Sequence, residues 1–363
     1  MKKVGIITYH RAENFGAFLQ CFALQKTIEE LGYRVEVIDY RQSIIEETYL
    51  IFNSKRMVGM SLKNKMGYIY YTLKNIKLRL SSKKRYAACR KKYIHISSPV
   101  YKCSDIQDKY DYIVVGSDQL WNINYTKGYD EIYWGLFVKN KSKLVGYAIS
   151  GNNNSLENID TCMLVRVLDN FDNLSLRESN LTEIIQKKTS RKIPVTLDPT
   201  LILDEKVWIE LLNNQHERIK EPYVLLYGVR PYKNDPDILM RKGQQLVGKA
   251  GLKIVDISKE QYYRKYTAIE FISLIYHAKY VITSSFQGLV FSILFKKDFI
   301  LIKYNDGDDN RALNLLKLLR LDNRIRDIND DLHLSSNIKY DEVFDILYRE
   351  RYKSLLFLKS SLQ

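Results

Sequence analysis

The stretch KKVGIITYHRAENFGAFLQCFALQKTIEEL, Lys2 to Leu31, decides the fold. A short apolar run, Val4 to Thr8, is followed by a polar loop and then by helical periodicity from Ala17 to Leu31. This order predicts a buried strand, a loop and a helix, the first unit of a parallel α/β sheet. Polar residues return after only a few apolar ones, so we interpret the run as a strand and not as a secretory signal.

The same alternation of β-branched apolar runs with helical patterns continues along the chain, which predicts an α/β fold with parallel sheets. Further strands of a first series are predicted at Arg34–Asp39, Tyr112–Val115, Lys143–Ile149 and Leu174–Leu176, and those of a second series at Tyr223–Val229, Lys253–Ile257, Tyr280–Thr283 and Phe299–Ile302. Helices are predicted at about Leu62–Tyr93, Thr161–Phe171, Thr267–His277, with a capping box of Thr267 and Glu270, and Asp341–Ser360.

Two series of strands in 363 residues predict two domains, because one hydrophobic core seldom serves so long a chain. We expect two facing Rossmann-like domains, residues 1–205 and 206–335, with a basic helical insertion at about 45–105. A helix in 336–363 is expected to cross back to the first domain. In such sheets ligands bind at the carboxyl ends of the strands, so we expect the site in the cleft between the domains.

The positive charge of the chain is concentrated in one segment. Between Lys55 and Lys102 there are 14 Lys and Arg residues and no Asp or Glu. Subtracting these 14 charges from the formal net charge of +15 leaves +1 for the rest of the chain. A local excess of this kind predicts a local anionic partner.

Several classes of protein are not indicated. No stretch approaches the roughly 20 apolar residues of a membrane helix, so we expect a cytoplasmic protein. The four cysteines are scattered and have no CxxC spacing, which argues against a disulfide framework or a zinc site. The acidic turn with Asp306, Asp308 and Asp309 lacks the spacing of a calcium loop and is interpreted as a solvated start of a helix. We therefore expect no metal and no cofactor.

Six motifs, in order, resemble those of the polysaccharide pyruvyl transferase family. They are NFGAFLQCFAL (Asn14–Leu24), YDYIVVGSDQLWN (Tyr110–Asn122), LSLRES around Arg177, LDPTLIL (Leu197–Leu203), TSSFQGLVFSILF (Thr283–Phe295) and NRALNLLKLL (Asn310–Leu319). The resemblance implies a fold similar to that of the GT-B glycosyltransferases. It also implies transfer of pyruvate, as a ketal, from phosphoenolpyruvate to a hexose of a surface polysaccharide, such as a capsule or cell-wall polymer, or its lipid-linked precursor.

The predicted donor site takes residues from three motifs. Arg177 follows a strand directly and could grip a carboxylate or phosphate bidentately; the alternative is a structural ion pair with Glu178 or Asp198. Ser285 and Gly288 lie where a strand turns into a helix, a place that favours anions. Lys303 and Arg311 could complete a cationic pocket.

The predicted acceptor site takes residues from the first two motifs. Asn14 could bind a sugar oxygen or cap the following helix, or do both. Asp118 follows a strand and could accept hydrogen bonds from sugar hydroxyls, with Gln119 behind it, or could instead cap a helix. Trp121 is interpreted as a packing or sugar-stacking residue, and the loop histidine His10 as a weak candidate.

Gln287 departs from the family pattern, which has a histidine at this place that is taken as the acid. A glutamine amide can orient a ligand by hydrogen bonds but has no useful acidic proton. Either another acid serves, with Glu178, Asp118 or His10 as the available groups, or the protein is an inactivated or weakened homologue. A glycosyltransferase that uses a nucleotide sugar is the alternative reading of the same fold.

The basic segment, residues 55–102, interleaves Lys and Arg with Tyr and Leu. It predicts either peripheral contact with an anionic membrane or a solvated helix that packs its apolar face on the first domain. Nucleic acid is not expected, because no recognised binding motif accompanies the charge.

Overall fold

The computed structural model describes the whole chain except residues 107–108, 138–140, 214–218, 230–231, 233–234, 248–250, 306–308 and 333–336. It divides into two compact units. Unit 1 comprises Met1–Leu176, Asn180–Pro199 and Leu358–Gln363, and unit 2 comprises Arg177–Ser179 and Thr200–Phe357. None of the described helices combines the length and the hydrophobicity that a membrane span requires.

Unit 1 is built on a parallel sheet that has seven strands within the described residues. The strands are β1 (Lys3–Ile7), β2 (Arg34–Tyr40), β3 (Ile96–Val100), β4 (Tyr112–Val115), β5 (Asp118–Trp121), β6 (Lys143–Gly151) and β7 (Asn173–Leu176). Their order is β3-β2-β1-β4-β6, and both β5 and β7 pair with β6. The order reverses between β1 and β4, as in Rossmann folds, so a ligand site is expected there.

Helices connect these strands. They are α1 (Phe15–Glu30), α2 (Ser43–Thr48), α3 (Leu62–Tyr93), α4 (Ile123–Thr126), α5 (Asn153–Asn158), α6 (Thr161–Asn170) and α7 (Ser179–Lys188). Helix α1 is buried along most of its length, which explains its run of apolar residues. The last residues of the chain return to this unit, where the Tyr112 hydroxyl donates a hydrogen bond to the Gln363 carbonyl over 2.8 Å.

Unit 2 has a second parallel sheet, whose described strands are β8 (Tyr223–Tyr227), β9 (Lys253–Asp256), β10 (Tyr280–Thr283), β11 (Asp298–Lys303) and β12 (Ile325–Asp327). Their order is β12-β11-β10-β8-β9, a doubly wound arrangement that reverses between β8 and β10. Its helices are α8 (Pro199–Ile202), α9 (Glu205–Leu212), α10 (Ile238–Val247), α11 (Glu260–Tyr263), α12 (Ala268–His277), α13 (Phe286–Leu294), α14 (Asn310–Leu318) and α15 (Tyr340–Ser361), whose last residues, from Leu358 on, belong to unit 1. The predicted fold class, α/β with two Rossmann-like domains, is confirmed.

Each unit has its own core with tryptophan in it. In unit 1 the rings of Trp121 and Trp134 are stacked, with centroids 4.9 Å apart and planes 11° apart. In unit 2 the ring of Trp208 meets Phe291 edge-on at 4.9 Å. All three tryptophans are fully buried. Trp121 is therefore a packing residue, and the sugar-stacking alternative for it is wrong.

A carboxylate network joins β2 to its neighbours in unit 1. Glu36 accepts a hydrogen bond from the Tyr110 hydroxyl at 2.7 Å and ion-pairs with Lys3 at 3.1 Å and Lys109 at 3.0 Å. Burial raises the pKa of Glu36, but these three partners outweigh it and lower the pKa from its ordinary 4.5 to about 2. The ionised form is thus favoured in the folded chain.

Glu36→Gln should destabilise unit 1 at neutral pH and less so in acid. A carboxyl whose pKa is lower in the folded chain stabilises it fully above the unfolded pKa, and this contribution is lost as pH falls from about 4.5 toward about 2. Melting temperatures of wild type and variant at pH 7 and pH 3.5 test this. The difference should shrink in acid, whereas exposed Glu157→Gln should differ little from wild type at either pH.

Candidate active site

The reversal of strand order in unit 2 places the turn after β10 beside the end of β8. Thr283 Oγ1 donates to the Tyr227 carbonyl over 2.6 Å, and the Ser284 N–H donates to the same carbonyl over 3.2 Å. The chain then enters α13 at Phe286. The predicted donor motif therefore lies at a topological switch point, where doubly wound sheets hold ligands.

Ser285 caps helix α13. Its Oγ accepts a hydrogen bond from the Gly288 N–H at 3.3 Å, and its own N–H donates to Thr283 Oγ1 over 3.0 Å. Gly288 is required here, because a Cβ at this position would lie 2.4 Å from Thr283 Oγ1. The buried turn thus brings backbone and hydroxyl donors close to a helix N-terminus, where the helix dipole favours anions.

Two polar side-chain atoms in this turn are buried without a hydrogen-bond partner among the described residues. They are Ser284 Oγ and Gln287 Oε1, and both side chains are less than a tenth exposed. A buried polar atom that makes no hydrogen bond costs about 1–3 kcal/mol. A ligand that donates to the Gln287 amide or accepts from the Ser284 hydroxyl would remove this cost.

Two guanidinium groups lie against the first residue of α13. The Cζ atom of Arg177 is 5.4 Å from the centroid of the Phe286 ring, and that of Arg311 is 5.5 Å from it. Arg177 follows β7 in sequence, yet it belongs to unit 2 with the donor motif. The structure therefore brings together Arg177, Arg311 and the α13 N-terminus, three positive groups that suit an anion with more than one acidic function.

Lys303 is also in unit 2, but its charge is engaged. Its Nζ lies 3.1 Å from Asp327 Oδ2, and the Asn305 amide donates to the other oxygen of Asp327 over 2.7 Å. The hydrogen bond from Asn305, and then that from Lys303, lower the pKa of Asp327. Asp327 therefore neutralises part of the positive charge that Lys303 could offer to an anion.

The acidic turn before α14 differs from its interpretation as a solvated cluster. Asp309 is buried and accepts hydrogen bonds from the N–H groups of Tyr304 and Asn305 at 2.8 and 2.9 Å. Asp306 and Asp308 lie outside the described residues. Elsewhere in the described parts of the chain, no group of three or more His, Cys, Asp or Glu is placed to hold a metal ion.

The predicted acceptor residues lie at the switch point of unit 1, after β1 and β4. Asn14 caps α1, because its Oδ1 accepts from the Ala17 N–H at 2.7 Å. Asp118 has φ +82° and accepts from the Gln119 N–H at 2.9 Å. The segment that Asp118 begins is strand β5 and not a helix, so its interpretation as a helix cap is wrong. The Gln119 amide oxygen is buried and accepts from Asn122 at 3.1 Å.

His10 is buried and not solvated, contrary to the expectation for a loop histidine. Its Nε2 lies 3.0 Å from Asp39 Oδ1 and its Nδ1 lies 3.1 Å from the Thr8 carbonyl oxygen. Arg11 and Arg41 also contact the Asp39 carboxylate. Burial raises the pKa of Asp39, but the hydrogen bonds from His10 and Arg41, and the charges of His10 and Arg11, lower it well below its usual range.

Sequence reasoning missed Asp39 and Phe286. Asp39 lies near the carboxyl end of β2, and His10 follows the carboxyl end of the neighbouring strand β1. Because parallel neighbours bring their carboxyl ends together, the predicted strands could have indicated this contact. Phe286 has no polar group, and only its position between two motif residues, Ser285 and Gln287, singled it out. The ring positions the arginines through cation–π contacts, which sequence spacing does not reveal.

The chain is thus a doubly wound α/β protein in which two arginines lie against the first residue of helix α13. The chain belongs to the polysaccharide pyruvyl transferase family, whose model matches residues 14–306. No curated protein is significantly similar to it in sequence.

Solved structures with a similar fold are distant in sequence. UDP-GlcNAc 2-epimerase from Neisseria meningitidis is 11% identical with a TM-score of 0.47, over 98% of this chain and 94% of the other. The enzyme of the same name from Methanocaldococcus jannaschii is 10% identical with a TM-score of 0.46, over 96% and 92%. ADP-heptose lps heptosyltransferase II from E. coli is 10% identical with a TM-score of 0.34, over 96% and 99%. Likeness this remote carries no argument about function.

Proposed function

We propose that this protein transfers pyruvate, as a ketal, from phosphoenolpyruvate to a hexose. The observation that carries the proposal is the position of Arg177 and Arg311 on the Phe286 ring, at the N-terminus of α13. Phosphoenolpyruvate has a carboxylate and a phosphate, and a guanidinium group binds either one bidentately. Ser285 and Gly288 belong to the same turn and complete the proposed donor site, with Lys303 at its edge.

The reaction needs a proton before it needs a nucleophile. A proton added to the methylene carbon of phosphoenolpyruvate leaves an oxocarbenium-like centre at C2. Two sugar hydroxyls add to C2 and lose their protons, and the C–O bond to phosphate breaks, so that the products are the cyclic ketal and inorganic phosphate. The role proposed for Arg177 and Arg311 is to hold the donor and the leaving phosphate.

Gln287 occupies the motif position of the acid and cannot supply that proton. We propose that it orients the ligand through its amide and that the native protein is a slow transferase. Of the groups considered as substitutes, Glu178 belongs to unit 2 with Arg177, whereas His10 and Asp118 belong to unit 1. Both ring nitrogens of His10 are engaged, Nε2 by Asp39 and Nδ1 by the Thr8 carbonyl oxygen. A non-catalytic binding protein is the alternative that Gln287 favours.

The acceptor is proposed to be a hexose of a surface polysaccharide or of its lipid-linked precursor, held by residues of unit 1. Asn14, Asp118 and Gln119 follow β1 and β4, where the strand order of that unit reverses, and a carboxylate such as that of Asp118 can accept hydrogen bonds from sugar hydroxyls. Capsule and cell-wall polymers are the substrate classes that the family suggests. We also propose a cytoplasmic location, with peripheral contact between residues 55–102 and an anionic membrane.

Thermal stabilisation by candidate donors tests the proposal. A ligand that binds only the folded protein stabilises it by about 2.7 kcal/mol at 100 times its Kd. We expect phosphoenolpyruvate to raise the melting temperature by several degrees, and UDP-GlcNAc at the same concentration to leave it unchanged. Stabilisation by UDP-GlcNAc without any by phosphoenolpyruvate would replace the proposal with the glycosyltransferase alternative.

A further inference from the structure

Helix α3, Leu62–Tyr93, packs one of its faces on the described residues of unit 1. It has 32 residues and is therefore about 48 Å long. Its buried residues are Thr72, Ser82 and Tyr86. The Tyr68 hydroxyl accepts a hydrogen bond from the Asn53 N–H at 3.0 Å, and Arg79 donates to the Ile51 carbonyl over 3.0 Å. These contacts fix which side of the helix faces the rest of unit 1.

A second face of the same helix exposes a stripe of large apolar side chains. The stripe consists of six residues that are 37–75% exposed: Leu62, Met66, Ile69, Leu73, Ile76 and Leu80. Their spacing alternates between four and three, so they share one side of the helix, about 120° around the axis from the buried residues. A continuous apolar surface of this kind marks an interaction site in a folded protein.

The charges beside the stripe decide what covers it. Spacing of four and three is also the spacing of a coiled coil, in which the flanking positions of two helices meet. Here the flanking positions carry Lys63, Lys65 and Lys77, and no acidic residue lies between Lys55 and Lys102. Two copies would therefore oppose like charges along the seam. An anionic surface matches both the apolar stripe and its basic margins.

We propose that helix α3 lies flat on an anionic lipid bilayer, with the stripe inserted at the boundary of headgroups and acyl chains. Interfacial helices of this type bury their apolar face by about 5–10 Å and keep lysines among the headgroups. Each Lys or Arg close to such a surface strengthens binding by about fivefold. If the acceptor of the proposed function is lipid-linked, this contact would bring the protein to its acceptor. Binding of helix α3 to the bilayer does not itself depend on pyruvyl transfer.

Cosedimentation of the whole chain with large unilamellar vesicles tests the inference. Vesicles of phosphatidylcholine with 30% phosphatidylglycerol should bind the protein at least tenfold more strongly than vesicles of phosphatidylcholine alone. Raising the salt to about 0.5 M should weaken this binding, because exposed charges are then screened over a few ångströms. Absence of binding to the anionic vesicles would overturn the inference.

Two triple variants distinguish binding through the stripe from non-specific hydrophobic binding. The triple variant Leu62→Gln, Met66→Gln, Leu73→Gln changes the most exposed members of the stripe and should lower the partition coefficient at least tenfold. A matched triple variant on three other helices, Val165→Gln, Leu318→Gln, Leu356→Gln, should bind within twofold of wild type. Equal losses in both variants would contradict a role for the stripe.

Further measurements distinguish membrane binding from self-association of the chain and from loss of folding in the variants. Analytical ultracentrifugation should show wild type and the stripe variant in the same oligomeric state. A dimer of wild type that is lost in the stripe variant would assign the stripe to a second copy of the chain and overturn the membrane inference. Circular dichroism should show both triple variants folded. Stabilisation by phosphoenolpyruvate should be unchanged in the stripe variant, so failure of the donor proposal and failure of vesicle binding are distinguishable.

Discussion

Arg177→Ala is expected to lower kcat/KM for phosphoenolpyruvate at least 30-fold. Removing one partner of a buried, hydrogen-bonded charge pair costs about 2–5 kcal/mol, and each 1.4 kcal/mol is a factor of ten. Arg177 is 8% exposed and lies against Phe286, so solvent would not replace its contacts with the donor. Phosphate release at varied phosphoenolpyruvate concentration, with a hexose acceptor, measures the effect. The thermal shift caused by phosphoenolpyruvate should disappear in the same variant.

Controls exclude a general loss of folding. Arg349→Ala removes an exposed arginine of α15 and should retain wild-type kinetics. Arg177→Lys keeps the charge but loses the planar fork of donors, and should lie between the other two. Arg311→Ala should act in the same direction as Arg177→Ala, because both guanidinium groups lie on one ring. A folded Arg177→Ala protein with wild-type kcat/KM would remove Arg177 from the donor site.

Gln287→His is expected to raise the rate of phosphate release by about 100-fold or more. General acid catalysis contributes about 10²- to 10⁴-fold, and an imidazolium can donate the proton that an amide cannot. The gain should be largest in mild acid and decline as pH rises past about 6.5, where imidazole loses its proton. Single-turnover phosphate release between pH 5 and pH 8 measures both features.

Gln287→Asn is the matched control, since it keeps an amide and should give no gain. If the native protein turns over at an ordinary rate of about 10 s⁻¹ and Gln287→His adds nothing, the slow-transferase proposal is wrong. Glu178→Gln would then be the informative variant, because Glu178 belongs to unit 2 with the donor motif. If neither the native protein nor Gln287→His releases phosphate, the non-catalytic alternative takes its place.

Local pattern predicted most of the sheet because the interior strands are buried on both faces. Tyr112–Val115 and Tyr280–Thr283 were predicted with the bounds that the structure has, and the capping box of Thr267 with Glu270 is present. Strand β3 was missed, since its sequence ISSPV is polar and contains a proline, as an edge strand can. Strand β5 was missed because it follows β4 after only two residues, where a helix was expected.

The sequence predicted which motifs contribute to the candidate site, but it did not predict which of their side chains contact one another. Ser285 and Gly288 could be placed at a helix N-terminus because a strand, a short polar turn and an apolar helix follow one another in sequence. The meeting of Arg177 with Arg311 depends on tertiary packing between segments more than 130 residues apart in the sequence. The engagement of Lys303 by Asp327 likewise depends on the pairing of β11 with β12, a strand too short to predict.

The distribution of tryptophans gives each unit its own optical reporter. The stacked indoles of Trp121 and Trp134 should couple excitonically and add a far-ultraviolet dichroism couplet that arises in unit 1. Emission from Trp208 would report on unit 2 in a protein where both other indoles are replaced by phenylalanine. Quenching or spectral shift on adding phosphoenolpyruvate or a sugar could then be assigned to one half of the molecule without any extrinsic label.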